Sequence, residues 1–334
     1  MGAGPAAAPG AQAAHTRGGV RTARAVASIV GGGRASIASF PFQVALYDPA
    51  AGGPAAGFFC GGVIVDATHV ITAAHCLAGA GSHGEGPGGE VAVLAGSTSL
   101  TQLAPGSERI PAAAVSIDPS YNRASDAYDV GVVTLAWPLW SGAAPQADGA
   151  APIAPLALEP AVAAAAEGAG VASVSGWGDT SPAPTGPASY PSELHAVNVP
   201  LVSPEVCAQE YAAIELRITP AMICAGSSRP QADSCFGDSG GPLLVDRGAA
   251  ATGAPPAYVL IGLVDFGAGC AQPGFAGVYT RIADPAVVSY LASGVGSGAP
   301  AAGRPPDSKR KRLHGHPRKR RRRRHRHRAH SAPR

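Results

Sequence analysis

Short apolar runs rich in β-branched residues recur along this chain, and Gly, Pro, Asn or Asp punctuate the stretches between them. FPFQVALY, FFCGGVIV, HVITAAH, EVAVLAG, DVGVVTL, GVASVSGWG, HAVNVPLV, PLLVD, AYVLIGLVDF and GVYTRI are ten such runs between Phe40 and Ile282. Runs of this length bounded by turn residues predict strands, and a series of them predicts an all-β barrel or sandwich. Helical periodicity appears in only two places. SPEVCAQEY opens with Ser203 as an N-cap, and DPAVVSYLAS opens with Asp284 followed by Pro285 at the first helical position. Segments 78–89 and 141–170 are rich in Gly, Ala and Pro and predict long surface loops. After Leu291 the chain turns to Gly, Ser, Ala and Pro and then to charge. That shift predicts one folded domain over 29–294 and a disordered tail over 295–334.

Charge divides the chain more sharply than hydropathy does. Between Ile29 and Gly303, seven arginines and no lysine stand against 21 acids, a net −14. From Arg304 to Arg334, 15 basic residues stand against Asp307 alone, a net +14. Arg17, Arg21 and Arg24 make up the overall +3. The Gly/Ala/Pro/Arg bias, with Lys confined to the tail, points to a GC-rich, bacterial genome. No run of about 18 apolar residues occurs, so no membrane-spanning helix is predicted.

Six cysteines (Cys60, Cys76, Cys207, Cys224, Cys235 and Cys270) all lie in the acidic part, with no CxxC pair among them. An even number without zinc or redox spacing predicts disulfides and an oxidising, extracellular setting, although spacing alone does not choose the pairing. Residues 1–28 lack the apolar core of a signal peptide. Secretion is therefore expected to depend on a start lying upstream or on another export route.

The chemistry centres on DSCFGDSGGP, residues 233–242. A serine hydroxyl is a weak nucleophile at neutral pH; it needs a base within hydrogen-bond reach and a group that orients that base. It also needs backbone N–H groups aimed at the oxyanion that forms on carbonyl attack. Flanking glycines let the backbone of Gly237 and Ser239 supply them. Taken alone, such a cluster is a plain turn. TAAHC adds His75, anchored beside Cys76, and DVGVVTL adds Asp129. A structural histidine and a strand cap are the bland readings of these two. In the order His, Asp, Ser they match a catalytic triad.

IVGG (29–32), FCGG (59–62), TAAHC (72–76), DVGVVTL (129–135), GWGDT (176–180), MICAG (222–226), GDSGGP (237–242) and GVYTRI (277–282) stand in this order. With these segments the chain resembles the trypsin/chymotrypsin family of serine endopeptidases from Ile29 to about Leu291. The resemblance implies two antiparallel six-stranded β-barrels packed face to face, with the active site between them and a short C-terminal helix. It implies disulfides Cys60–Cys76, Cys207–Cys224 and Cys235–Cys270, the first of which would contribute about 3 kcal/mol by loop closure. It makes residues 1–28 a pro-segment. Asp238 is then the partner of an Ile29 amine freed by cleavage, and Gly237 and Ser239 form the oxyanion hole. Asp233 matches the floor of the specificity pocket, with Gly267 and Gly277 on its walls. A carboxylate buried there is costly unless a cation meets it, so polypeptides with Arg or Lys at the cut site are the implied substrates. No cofactor is implied, and a monomer is expected.

Four departures from the family pattern bear on function. Asp265, in GLVDFG, stands where the family usually carries a serine that donates to the triad carboxylate. Two like charges there would raise each other's pKa and move the acid-side loss of activity to higher pH, unless Asp265 turns outward to the substrate groove. Phe266 stands for the usual Trp. Ser28 precedes Ile29, with Arg24 the nearest basic residue, so the expected cut AVAS↓IVGG calls for a separate activating protease that prefers small residues. SLTQLAPGS, where some relatives bind calcium, contains no acid, and no metal is expected there.

The tail, SKRKRLHGHPRKRRRRRHRHRAH, cannot form a core. It reads as a solvated charge run, as an electrostatic anchor on anionic polymers, or as a string of basic sites that the enzyme itself docks or trims. Its histidines lack zinc-ligand spacing. His15, His69, His83 and His195 belong to no motif and read as incidental. The competing function is a catalytically silent binding protein held by its tail; an intact His75, Asp129 and Ser239 argues against it.

Overall fold

A computed structural model of the protein describes residues 29–78, 90–139, 153–180, 190–226, 232–248 and 258–296. After the two-residue strand β1 (Gly33–Arg34), the first barrel comprises β2 (Gln43–Tyr47), β3 (Phe58–Ile64), β4 (His69–Thr72), β5 (Ala92–Ala95), β6 (Glu108–Ile117) and β7 (Gly131–Leu135). These six close antiparallel in the order β2-β3-β4-β7-β6-β5. The second barrel comprises β8 (Val171–Gly176), β9 (His195–Val202), β10 (Met222–Ala225), β11 (Pro242–Asp246), β12 (Tyr258–Phe266) and β13 (Gly277–Arg281). Its order is β9-β10-β13-β12-β11-β8, closed by the β9–β8 pairing and extended by β1 alongside β9. Closure pairs each barrel strand with neighbours on both sides, and only the short β1 is left as an edge among the described residues.

Each barrel is filled by the inward members of its strands. Val44, Leu46, Val63, Ile71, Val93, Ile110, Val133 and Leu135 are buried in the first, and Val174, Val199, Leu243, Ile261 and Tyr279 in the second. Ile29 belongs to the second core and is fully buried there. Among the described residues five α-helices accompany the strands: α1 (Pro54–Gly57), α2 (Ala74–Leu77), α3 (Pro160–Ala166), α4 (Pro204–Ala212) and α5 (Pro285–Gly296). The helix α4 is capped as its sequence predicts, with Ser203 Oγ accepting from Val206 N. Asp284 likewise accepts from Ala286 N and Val287 N at the start of α5. That last helix carries Val287 and Leu291 back across the molecule into the core of the first barrel.

All three disulfides join the implied partners, with Cα–Cα distances of 6.2, 6.3 and 5.0 Å. The ten predicted strands are present, and three more join them. β6 carries Pro111 and a run of alanines with an exposed outer face, which weakens its strand pattern, and it bulges between Ala112 and Ala114. β1 and β10 are too short for periodicity to register. The predicted loop 141–170 needs correction where it is described, because PAVAAAA forms α3. Its proline sits in the first turn and alanine is the best helix former, so the run favours a helix locally. Arg281 on β13 fixes that helix by a bidentate pair to Glu167 at 2.7 and 2.8 Å.

His69 and His195 are not incidental. His69 Nδ1 lies 2.8 Å from Asp66 Oδ2, and His195 Nδ1 lies 2.7 Å from the carbonyl of Glu193; both rings are buried. Burial holds His195 below the usual histidine range. Val295 and Gly296, expected in the disordered tail, instead complete α5, while His15, His83 and residues 1–28 and 297–334 lie outside the described residues.

Candidate active site

Strand β4 ends at Thr72, and the chain turns through Ala73 into the single helical turn α2 that carries His75. Cys76 ties this turn to Cys60 on β3, which fixes where the imidazole starts. Asp129 lies just ahead of β7 and is fully buried. One of its oxygens accepts from His75 N at 2.8 Å and the other lies 2.6 Å from His75 Nδ1. The carboxylate thus grips both the backbone and the ring of His75, holding the proton on Nδ1. Asp129's own carbonyl accepts from Thr280 Oγ1 at 2.7 Å, a bond that crosses from β13 of the second barrel.

Ser239 comes from the turn between the second-barrel segment 232–238 and β11. The turn is held from both sides: Gly61 N on β3 donates to Ser239 O, and Gly240 N donates to Val264 O on β12, each at 2.8 Å. Beside it Gly237 has φ of 90°, a left-handed conformation that glycine adopts without cost. Asp238 is fully buried, accepting from Gly178 N at 2.9 Å and Cys235 N at 3.0 Å. The absence of side chains at Gly176 and Gly178 makes room for its carboxyl.

A cleft runs between the barrels. His75 and Ser239 line it together with Phe266, Gly267, Gly277, Tyr121, Arg123, Asp126 and, at its inner end, the buried Asp233. Asp233 Oδ2 accepts from Ala271 N at 2.8 Å, while buried Oδ1 has no hydrogen-bond partner among the described residues. Burial pushes its pKa up to about 7, against the lowering effect of the Ala271 and Ser234 N–H groups, and the charge of Asp238 pushes the same way as burial. A Cβ on Gly277 would stand 2.8 Å from Oδ1, so this glycine leaves the carboxyl open to the cleft.

Asp265 faces inward to Asp129 and His75, one of the two dispositions left open by the sequence. Phe266 packs edge-on against Tyr211, ring centroids 5.7 Å apart, and borders the cleft. Of the residues singled out in the sequence, His75, Asp233, Ser239, Gly267 and Gly277 line the cleft, Asp129 is buried against His75, Asp238 is buried beside Ser239, and Ile29 lies in the second core. Sequence reasoning missed Gly226, against Asp233 Oδ1, and Thr280, the inter-barrel donor. Both sit inside quoted motifs, MICAG and GVYTRI, but nothing in a linear pattern shows which atom each one meets.

A family profile described as Trypsin matches residues 29–288. Trypsin of Saccharopolyspora erythraea is 32% identical over 255 residues, covering 76% of this chain and 93% of that protein. Trypsin-1 of Astacus astacus is 34% identical over 254 residues, covering 76% of this chain and 95% of that protein. Trypsin 5G1 of Aedes aegypti is 33% identical over 260 residues, covering 78% of this chain and 83% of that protein. Paired six-stranded barrels, three disulfides and similarity across the whole folded region agree: the chain belongs to the trypsin family and is a serine endopeptidase.

Proposed function

We propose that this endopeptidase cuts polypeptides after Arg or Lys, using His75, Asp129 and Ser239. The observation that carries the specificity is Asp233: a buried carboxyl at the inner end of the cleft with one oxygen lacking a donor. A substrate guanidinium or ammonium supplies the missing donor and the compensating charge together.

In the reaction, Ser239 Oγ attacks the carbonyl carbon of the basic residue while His75 Nε2 takes the hydroxyl proton. Negative charge moves to the carbonyl oxygen, where the N–H groups of Gly237 and Ser239 receive it. The Asp129 carboxylate, already bonded to Nδ1, stabilises the imidazolium. The tetrahedral adduct collapses, the C–N bond breaks, and His75 gives its proton to the departing amine. Water then attacks the acyl-enzyme by the same route and restores Ser239.

The enzyme is made as a zymogen and works outside the cell. Ile29 fully buried in the second core, close in sequence to Val30's bond with Asp233, supports an inserted terminus after cleavage, with Asp238 receiving its amine. In the uncut chain Ile29 sits at φ 45°, which β-branched residues avoid, and cutting before it removes that constraint. Three disulfides support the oxidising setting. The activating protease is separate and prefers small residues. The +14 charge of residues 304–334 supports retention on anionic polymers through that segment.

The test uses chain with a free Ile29 terminus beside Ser239→Ala, and matched chromogenic peptides ending in Arg, Lys, Phe or Ala. Cleavage after Arg and Lys, absent in Ser239→Ala, is expected. Cleavage after Phe or Ala instead would discard the role given to Asp233. A secreted terminus at Ala25 rather than Ile29 would discard the activation site.

A further inference from the structure

Asp265 is the residue at which β12 bulges. Val264 pairs with Tyr279 and Phe266 with Val278, so Asp265 has no partner in the ladder and its side chain is re-aimed. It points at the triad: one oxygen of Asp265, one of Asp129 and a ring nitrogen of His75 all lie within 4.8 Å of one another. The residue is 5% exposed, and neither of its oxygens has a donor facing it among the described residues. The other titratable and charged groups around it are Asp126, Tyr121 and Arg123 on the cleft wall and Tyr211 on α4.

Two buried, ionised carboxylates in contact with no cation between them would be prohibitively unstable. A proton resolves both problems, because it removes one charge and gives Asp265 a donor for the neighbouring oxygen. We propose that Asp265 is held as a neutral carboxylic acid whose O–H donates to the Asp129 carboxylate, making it a positioning residue for His75. Asp129 then has its carbonyl held by Thr280 and its carboxylate held by His75 and Asp265.

The direction of titration agrees with this geometry. Burial, the charge of Asp129, contact with its carboxyl and the charge of Asp126 all push Asp265 well above the usual carboxylate range. The donors decide which acid carries the proton: Asp129 accepts from His75 N and lies against His75 Nδ1, whereas neither Asp265 oxygen meets a donor among the described residues. His75 therefore faces one neighbouring negative charge, not two, and the expected shift of the acid limb to higher pH is replaced by no shift.

The inference rests on the triad reading above, so the test pairs activity with a measurement that needs none. It uses the full chain processed at Ile29, with Asp265→Asn, Asp265→Ser and Asp265→Ala. At about pH 8, with benzamidine holding Asp233 ionised, wild type is expected to show an infrared carbonyl band of a protonated carboxylic acid. The band should vanish in Asp265→Asn; its absence from wild type would overturn the proposal whether or not the enzyme is active. Asp265→Asn is expected to keep the acid limb of kcat/KM in place, since a neutral donor replaces a neutral donor. A limb moved down by about one pH unit or more would mean that Asp265 had been charged, and would overturn it. Asp265→Ala should lower kcat about tenfold or more, with Asn and Ser restoring it; full kcat in the alanine variant would end the positioning role. If Asp265→Asn does not fold, Asp265→Ser supplies the same two readings. A triad that fails to acylate at Ser239, with the band still present, would fault the functional reading and leave the protonation standing.

Discussion

The main-chain N–H of Asp233 donates to the carbonyl of Val30 at 3.1 Å. The residue beside the buried Ile29 is thus bonded directly to the buried acid that lines the cleft, so ordering one segment orders the other. Removing most of the Ile29 side chain should loosen both. Ile29→Ala costs about 2–5 kcal/mol as a core truncation, shared between insertion and stability. Calorimetric titration with benzamidine should show at least about tenfold weaker binding to processed Ile29→Ala than to processed wild type. Equal affinity for wild type and variant would sink the coupling.

A second expectation concerns pH. Burial raises Asp233 to about 7, so the free pocket is half neutral near that value. An amidinium binds the ionised form, and its charge pulls the pKa back down. Benzamidine Kd should therefore be flat above about pH 8 and should rise about tenfold per unit as pH falls below 7. Asp233→Ser should bind weakly at every pH, with no such slope. A wild-type Kd constant from pH 5 to 8 would mean that water or the fold already stabilises the charge.

Gly277 separates pocket shape from catalytic chemistry. In Gly277→Ala the new methyl would lie 2.8 Å from Asp233 Oδ1 and 3.3 Å from the Tyr279 ring, so the carboxyl has to move. kcat/KM for Arg peptides should fall at least about tenfold. The rate at which a small phosphonofluoridate phosphonylates Ser239, with loss of fluoride, should stay near wild type, because that reagent does not enter the pocket. Equal losses in both would place the damage at the triad.

Thr280 is the least obvious target. Its hydroxyl reaches across the barrel boundary to Asp129 O, and Thr280→Val keeps the shape while removing the donor. A buried carbonyl left unpaired costs about 1–3 kcal/mol, which for a domain of this size is roughly 2–4 °C in Tm per kcal/mol. Thermal unfolding should show that drop, and kcat should fall severalfold as Asp129 loses its anchor. An unchanged Tm together with an unchanged kcat would remove Thr280 from the site.

Much of this site is legible in the linear chain because its parts are rigid and local. GDSGGP needs its glycines for backbone conformation, and TAAHC needs its cysteine to pin a histidine, so each leaves a compact mark. Strand runs show through period and turn residues, as in β3 and β12. The less visible elements lack those marks: β6 mixes Pro111 with exposed alanines, and α3 reads as one more Ala/Pro loop until Arg281 and Glu167 hold it.

The sequence by itself determined the all-β class, the order His75, Asp129, Ser239 and the charge split between domain and tail. Those features depend on residue type and on spacing along the chain. Only the tertiary structure decided which way Asp265 points, that one Asp233 oxygen meets no donor among the described residues, and that Thr280 holds Asp129 from the opposite barrel. Each of these is a meeting of atoms from segments far apart in the chain, set by barrel closure, by strand register and by one bulge in β12. Whether a carboxyl carries charge depends on such meetings, because burial and neighbours shift its pKa and neither is encoded at the residue itself.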